Sequence, residues 1–194
     1  MTSRRLSQAI SEGDGISVIA DVDGPDSARA AEAAGAEAIM VVGAARAGLA
    51  AIREATELPI VLFWDEDGTD ILGSADACIV DVRDDDRERL ERLGTELGER
   101  IELAPRICTD EHLAFVLDTL DPEILVLGAR GDGEEPLTVA LELLPDVPAG
   151  KLAIADVGAR SRDELDELER AGVDAVIVAM GEIAHLVGAP PPEV

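Results

Sequence analysis

The 194-residue chain contains no asparagine, one glutamine (Gln8), one lysine (Lys151) and two cysteines. Cys78 and Cys108 form no CxxC pair, so neither a disulfide framework nor a cysteine-based metal motif can be built from them. Both read as small apolar core residues. There is no run of about 18 apolar residues, which excludes a membrane-spanning helix. The opening stretch MTSRRLSQAISEGDG has two arginines but no apolar segment behind them, so it does not read as a secretory signal, and the expected compartment is the cytoplasm. Positive charge is scarce as well. Sixteen Lys and Arg stand against 42 Asp and Glu, a formal net charge of −26. Such a surface argues against nucleic acid and anionic membranes as partners. The shortage of amides and lysine fits either a salt-adapted or a high-temperature protein. In both backgrounds an isolated acid says little about chemistry.

What the chain does have is a regular series of short, β-branched apolar runs. They are ISVIADV (16–22), EAIMVVG (37–43), PIVLFW (59–64), ACIVDV (77–82), IELAPRI (101–107), EILVLGA (123–129), KLAIADV (151–157) and DAVIVAM (174–180). Continuous rather than alternating hydrophobicity is the mark of strands covered on both faces. Amphipathic segments lie between most of them. DSARAAEAAG closes on Gly35, DDDRERLERLGTELGER opens on acids and spaces leucines at 90, 93 and 97, and TDEHLAFVLDTL opens on Thr109 as N-cap. SRDELDELERAG pairs Ser161 with Glu164 in a capping box and closes on Gly172. After the third run, DEDGTDILGS has room for only about one or two helical turns. Eight βα units predict a single-domain (β/α)8 barrel over residues 1–194, unusually small beside the ~250 residues typical of that architecture. An open doubly wound sheet is the alternative, but no GxGxxG follows the first strand.

A (β/α)8 barrel carries its site at the C-terminal ends of its strands. There the sequence places Asp21 and Asp23, two apart and so on one face, at the end of the first strand. Asp81 follows the fourth strand, Arg106 ends the fifth, Arg130 follows the sixth and Asp156 ends the seventh. Trp64, the only tryptophan, ends the third, with Asp65 and Glu66 beyond it. Asp21, Arg106 and Asp156 interrupt apolar strands and are the most informative of these. Inward aspartates beside an inward arginine form either a balanced ion network or a working site. His112, His185, Met40 and Met180 read as packing residues.

Several segments, in order, resemble the indole-3-glycerol phosphate synthase family. GDGISVIADVDGPDS is similar to the family's first strand, roughly IAEVKRxSPS, and AGAEAIMVV to its second. LAAIREATELPIVL, SADACIVDV and RICTDEHL follow in the family's order, and LAIADVGARSRDELDELERAGVDAVIVAMGE resembles its closing VVSESGI…GVDAVLVGE segment. The resemblance runs from about Ile16 to Ile183 and lacks the family's long N-terminal helical extension. It implies an enzyme of tryptophan biosynthesis, a carbon–carbon lyase that closes an indole ring with loss of carbon dioxide and water and uses no metal or other cofactor.

Carried over residue by residue, the resemblance puts Asp21 at the family's first-strand glutamate and Asp23 at its lysine, a reversal of charge. The strand-three lysine falls on Phe63, or on Trp64 if the register moves by one. The strand-five glutamate falls on Arg106, and the strand-seven glutamate on Asp156. Gly158 matches a glycine that holds the substrate phosphate, and Gly181 lies near another. Lys151 starts the seventh strand, roughly 15–20 Å from the mouth at ~3.3 Å per residue. Arginine does not readily give up a proton, so it is no substitute for a lysine acid. Without those lysines little ring closure is expected, since each lost acid–base group typically costs roughly 10²–10⁴-fold.

The expected catalytic set is therefore Asp21, Asp23, Arg106 and Asp156, with Trp64, Asp81, Arg130, Gly158 and Gly181 around a small phosphorylated substrate. No metal or cofactor is expected. Two other readings stand beside this one. In the first, the mouth aspartates do altered chemistry on a phosphorylated or metal-bound anion, since carboxylates suit Mg²⁺ or Mn²⁺. In the second, the barrel is a non-catalytic scaffold or partner protein. Oligomeric state is not legible.

Overall fold

The computed structural model describes residues 4–64, 73–83, 87–98, 100–129 and 135–186. Its centre is a closed barrel of parallel strands in sequence order. The strands are β1 (Ser17–Val22), β2 (Ala38–Val41), β3 (Ile60–Trp64), β4 (Ala77–Asp81), β5 (Glu102–Ile107), β6 (Ile124–Leu127), β7 (Leu152–Ala155) and β8 (Ala175–Ala179). β8 pairs with β1 through Ser17–Ala175 to Asp21–Ala179, which closes the cylinder. The open-sheet alternative is thereby excluded. Each strand lies inside one of the eight apolar runs.

One helix, α1 (Arg5–Glu12), precedes the first strand. The others cover the outside: α2 (Pro25–Ala33), α3 (Leu49–Ala55), α4 (Arg87–Glu96), α5 (Asp110–Thr119), α6 (Pro136–Leu143), α7 (Arg162–Ala171) and the short α8 (Ile183–Leu186). Local sequence explains their ends. The Thr109 hydroxyl accepts from the His112 N–H at 3.2 Å and starts α5. Ser161 and Glu164 cap α7 reciprocally, and Gly172 stops it with φ of +102°, which a side chain would strain. The segment DEDGTDIL after β3 lies outside the described residues.

Two apolar layers follow from strand alternation. Outward side chains such as Val22, Leu62, Val80, Leu125 and Val178 belong to one apolar cluster with helix residues that include Leu90 and Leu93 of α4 and Leu165 and Leu168 of α7. Inward ones, Ile19, Met40, Val61, Ile79, Ala104, Val126, Ile154 and Ile177, fill the barrel. The interior is thus a packed core, as (β/α)8 geometry requires.

The helix α1 has no counterpart among the sequence expectations. It closes the foot of the barrel, where Leu6 and Ile10, four apart on one face, join the interior cluster. The Glu102 carboxylate, buried at the start of β5, accepts from the Leu6 N–H at 2.8 Å and the Ser7 N–H at 3.1 Å. An acid side chain therefore satisfies two of the amides that a helix start leaves unpaired. Nearby, Asp76 accepts from the Ile60 N–H at 2.9 Å and pairs with both Arg5 and Arg53.

Candidate active site

At the opposite end from α1 the inward positions turn polar. β1 alternation carries Ile19 inward, then Asp21. β3 carries Phe63 inward and Trp64 outward. β5 carries Glu102, Ala104 and Arg106 along one inner face, from foot to mouth. Asp81 lies directly across from Arg106 in the β4–β5 register. Asp156 follows the last residue of β7, its N–H donating to the Leu127 carbonyl at 2.8 Å.

Arg106 is the centre of this mouth. Its Nη2 donates to Asp156 Oδ2 at 2.7 Å, and each side chain is 24% exposed. Its Nε is 3.7 Å from Asp81 Oδ1, an ion-pair distance too long for a hydrogen bond. The guanidinium lies 4.8 Å from the centroid of the Phe63 ring, a cation–π contact. Gly128 lets β6 and β7 meet here, because a Cβ on it would stand 2.7 Å from the Asp156 carbonyl oxygen.

Asp21 is half-buried beside this cluster. Burial, then the Asp156 carboxylate, then Asp23 raise its carboxyl above the ordinary aspartate range. It accepts no hydrogen bond from any described residue. A raised proton affinity favours the neutral carboxyl, the form that can donate a proton.

The structure therefore brings together Asp21, Asp81, Arg106 and Asp156. Asp23 is exposed just beyond them and serves the turn into α2. Its carboxylate accepts from the Ser27 hydroxyl at 2.7 Å, and the Asp23 and Gly24 N–H groups donate back to that oxygen at 3.1 and 3.0 Å. Gly158, with φ of +62°, and Gly181 are exposed after β7 and β8. Arg130 lies outside the described residues, as do Asp65 and Glu66. Trp64 does not reach the mouth. Alternation after Phe63 turns it outward, where it is 7% exposed in the layer between strands and helices. The same alternation turns Phe63 inward, toward Arg106. Lys151 is at the foot, donating to Asp121 at 2.6 Å and to the Pro122 carbonyl at 2.7 Å.

Sequence reasoning passed over Glu102. It interrupts an apolar run just as Arg106 does, four residues earlier and on the same face. Among the described residues no three His, Cys, Asp or Glu side chains converge as metal ligands. A hollow of about 350 Å³ opens on the mouth side, between Val157, Gly158 and Arg160 after β7 and Glu135 and Pro136 at the start of α6.

The chain is a (β/α)8 barrel with a ring of polar side chains at its mouth. Among solved structures the chain is similar to N-acetylmannosamine-6-phosphate 2-epimerase from Clostridium perfringens, with a TM-score of 0.66 and 15% identity over 86% of this chain and 87% of that one. It is also similar to thiamine phosphate pyrophosphorylase from Pyrococcus furiosus, with a TM-score of 0.65 and 17% identity over 88% and 93%. At these identities the likeness is one of fold. No family model and no curated protein sequence matches the chain.

Proposed function

We propose that this chain is a small-molecule enzyme that works on a phosphorylated substrate at the barrel mouth, with Asp21 as the proton-transfer group. The observation that carries the reading is the pairing of two unlike carboxylates. Asp156 is committed to Arg106, while Asp21 beside it has no donor among the described residues and a raised proton affinity. A buried carboxyl whose proton affinity is raised beside a specific charged neighbour is a candidate for an acid–base role. A phosphorylated substrate is supported by the two similar structures, both of proteins named for phosphorylated compounds. It is also supported by the open glycine turn at Gly158, in the loop region where barrels commonly hold phosphate.

The ancestry we propose is the indole-3-glycerol phosphate synthase family, with little of its ring closure retained. Closure needs a proton for a departing hydroxyl and a cation near a leaving carboxylate. Asp23 is an exposed turn residue and Phe63 an apolar ring, so neither provides them. Lys151 is bound at the other end of the barrel.

The test is a thermal-shift and calorimetric titration with phosphorylated sugars, on the natural protein and Asp21→Asn. A fluorimetric assay for indole-glycerol phosphate formation runs alongside. Stabilisation by at least one phosphorylated compound, with ring closure near background in both proteins, is the expected result. Binding of none of them would reject the reading. Closure at an ordinary enzyme's ~10 s⁻¹ would reject the account of the missing lysines.

A further inference from the structure

A hollow of about 370 Å³ opens at the foot of the barrel, at the other end from Asp21 and Arg106. Its size suits a small molecule, since ligand sites run from about 300 Å³ upward. The walls are mainly apolar: Ile101 and Leu103 around the start of β5, Leu120 after α5, and Ile124 of β6. Leu103 and Leu120 are only half-buried. Gly94, in the last turn of α4, forms another side. A Cβ there would stand 2.7 Å from Leu120 Cδ2, so glycine lets α4 and α5 approach and adds no side chain to the hollow. Both helices end here, and a helix C-terminus carries partial negative charge. Glu102 and Glu123 line the hollow against one cation, Arg4. Glu102 is committed to the Leu6 and Ser7 amides. Glu123 is held more loosely. Its carboxylate pairs with Arg4 at 3.2 Å, with the two side chains 44% and 69% exposed. Such an exposed pair contributes little and exchanges at small cost. Lys151, which donates to the Pro122 carbonyl, is balanced by Asp121 and adds no net charge.

We infer that this hollow is a second ligand site, for a small organic cation with an ammonium or guanidinium head on an apolar body. The body lies against Ile101, Leu103 and Leu120, where it removes apolar surface from water. The head takes the Glu123 carboxylate in place of Arg4 and faces the negative ends of α4 and α5. An anion would meet two carboxylates and two negative helix ends. A cation without an apolar body would leave the wall wet. The chemistry of the hollow therefore asks for both parts in one molecule. The site is separate from the mouth and does not depend on the reaction proposed there.

Isothermal titration at one fixed salt concentration tests this with 2-phenylethylammonium and three partial probes. 2-Phenylethanol has the body without the charge, ethylammonium the charge without the ring, and 3-phenylpropionate the opposite charge. The natural protein is expected to bind 2-phenylethylammonium at least about tenfold more tightly than the alcohol or ethylammonium, the low end for a charge-assisted bond, and not to bind 3-phenylpropionate. In Glu123→Gln the advantage over the alcohol should fall below about twofold. Leu120→Trp, which fills the hollow from its half-buried wall, should abolish binding. Glu123 is exposed, so its variant keeps the test open even if Leu120→Trp fails to fold. Equal binding of the two ammonium probes would mean general attraction to an acidic surface and would overturn the inference. Equal binding of 2-phenylethylammonium and the alcohol, or binding of none of the probes, would overturn it as well. So would undiminished binding in Glu123→Gln or in a folded Leu120→Trp. None of these results touches the function proposed at the mouth.

Discussion

Arg106 and Asp156 are separated by 50 residues of chain and joined by a hydrogen bond of 2.7 Å across the barrel mouth. The pair ties β5 to the end of β7 past the short strand β6. Both side chains are about three-quarters buried, so the contact is less screened than a surface ion pair. Asp156→Ala should destabilise the protein by about 1–3 kcal/mol, because Arg106 loses its only hydrogen-bond acceptor among the described residues. An Arg106→Met, Asp156→Leu double variant should recover most of that loss, since removing both partners leaves no orphaned charge. Urea unfolding of the three proteins measures both steps. A double variant less stable than Asp156→Ala would show that the pair holds the barrel rather than the site.

Asp21 predicts an opposite sign. Its folded-state proton affinity is raised, so its ionised form opposes folding at neutral pH. Stability gained from its protonation is complete below the unfolded aspartate value, about 4, and is lost as pH rises through the higher folded value. Asp21→Asn should therefore raise Tm at pH 7. The gain should shrink as pH falls and vanish at about pH 4. A variant less stable than the natural protein at pH 7 would mean that the Asp21 carboxylate is a structural acceptor.

At the other end of the barrel, Glu102 holds α1 in place. Glu102→Gln keeps the shape but weakens two charge-assisted bonds to the amides of Leu6 and Ser7. Hydrogen exchange at those two amides should accelerate more than at β5 itself. Glu102→Ala, which removes the acceptor outright, should cost about 2–3 kcal/mol in global stability. Unchanged exchange in both variants would make α1 dependent on Leu6 and Ile10 alone.

The barrel was legible in the sequence because eight β-branched runs at nearly even spacing leave few other ways to bury every strand on two sides. Ring membership at the mouth was legible for Asp21, Arg106 and Asp156, which break otherwise apolar strands. It failed for Trp64 because strand phase, not position at a strand end, decides which layer a side chain enters. Reading Phe63 as inward requires knowing that Val61 is inward, and in a strand apolar on both faces the pattern does not say. α1 escaped notice because one pair of apolar residues, Leu6 and Ile10, is a weak helical signal. Its partner Glu102 is distant in sequence.

Trp64 offers a direct check of that phase. It is the only tryptophan, so fluorescence reports this one site. Packed between strand and helices, it should emit at short wavelength, resist quenching by iodide and acrylamide, and show no change on ligand binding at the mouth. An emission maximum near that of water-exposed indole, or quenching by a bound phosphosugar, would put the ring in the mouth instead.

The last prediction concerns the lysine position. Phe63→Lys places an ammonium where the ring now stacks on Arg106, 4.8 Å from ring centroid to guanidinium. Two cations at that separation repel, and the stacking contact is lost as well. The single variant should be destabilised, with the introduced ammonium's pKa pushed below the ordinary lysine range by the arginine. Arg106→Glu alone should also be destabilised, since it sets a third carboxylate between Asp81 and Asp156. Combined, the two changes replace a cation stacked on a ring with an attractive pair of opposite charges. The double variant should therefore be more stable than the sum of the single losses by about 1 kcal/mol or more. Adding Asp23→Lys to that background is the combination expected to gain measurable indole-glycerol phosphate formation, whereas Asp23→Lys alone should gain none. Stability is read by urea unfolding and activity by fluorimetry on the same samples. Additive losses in the double variant would show that positions 63 and 106 do not face one another, and with that the argument for an inward lysine at 63 would fall.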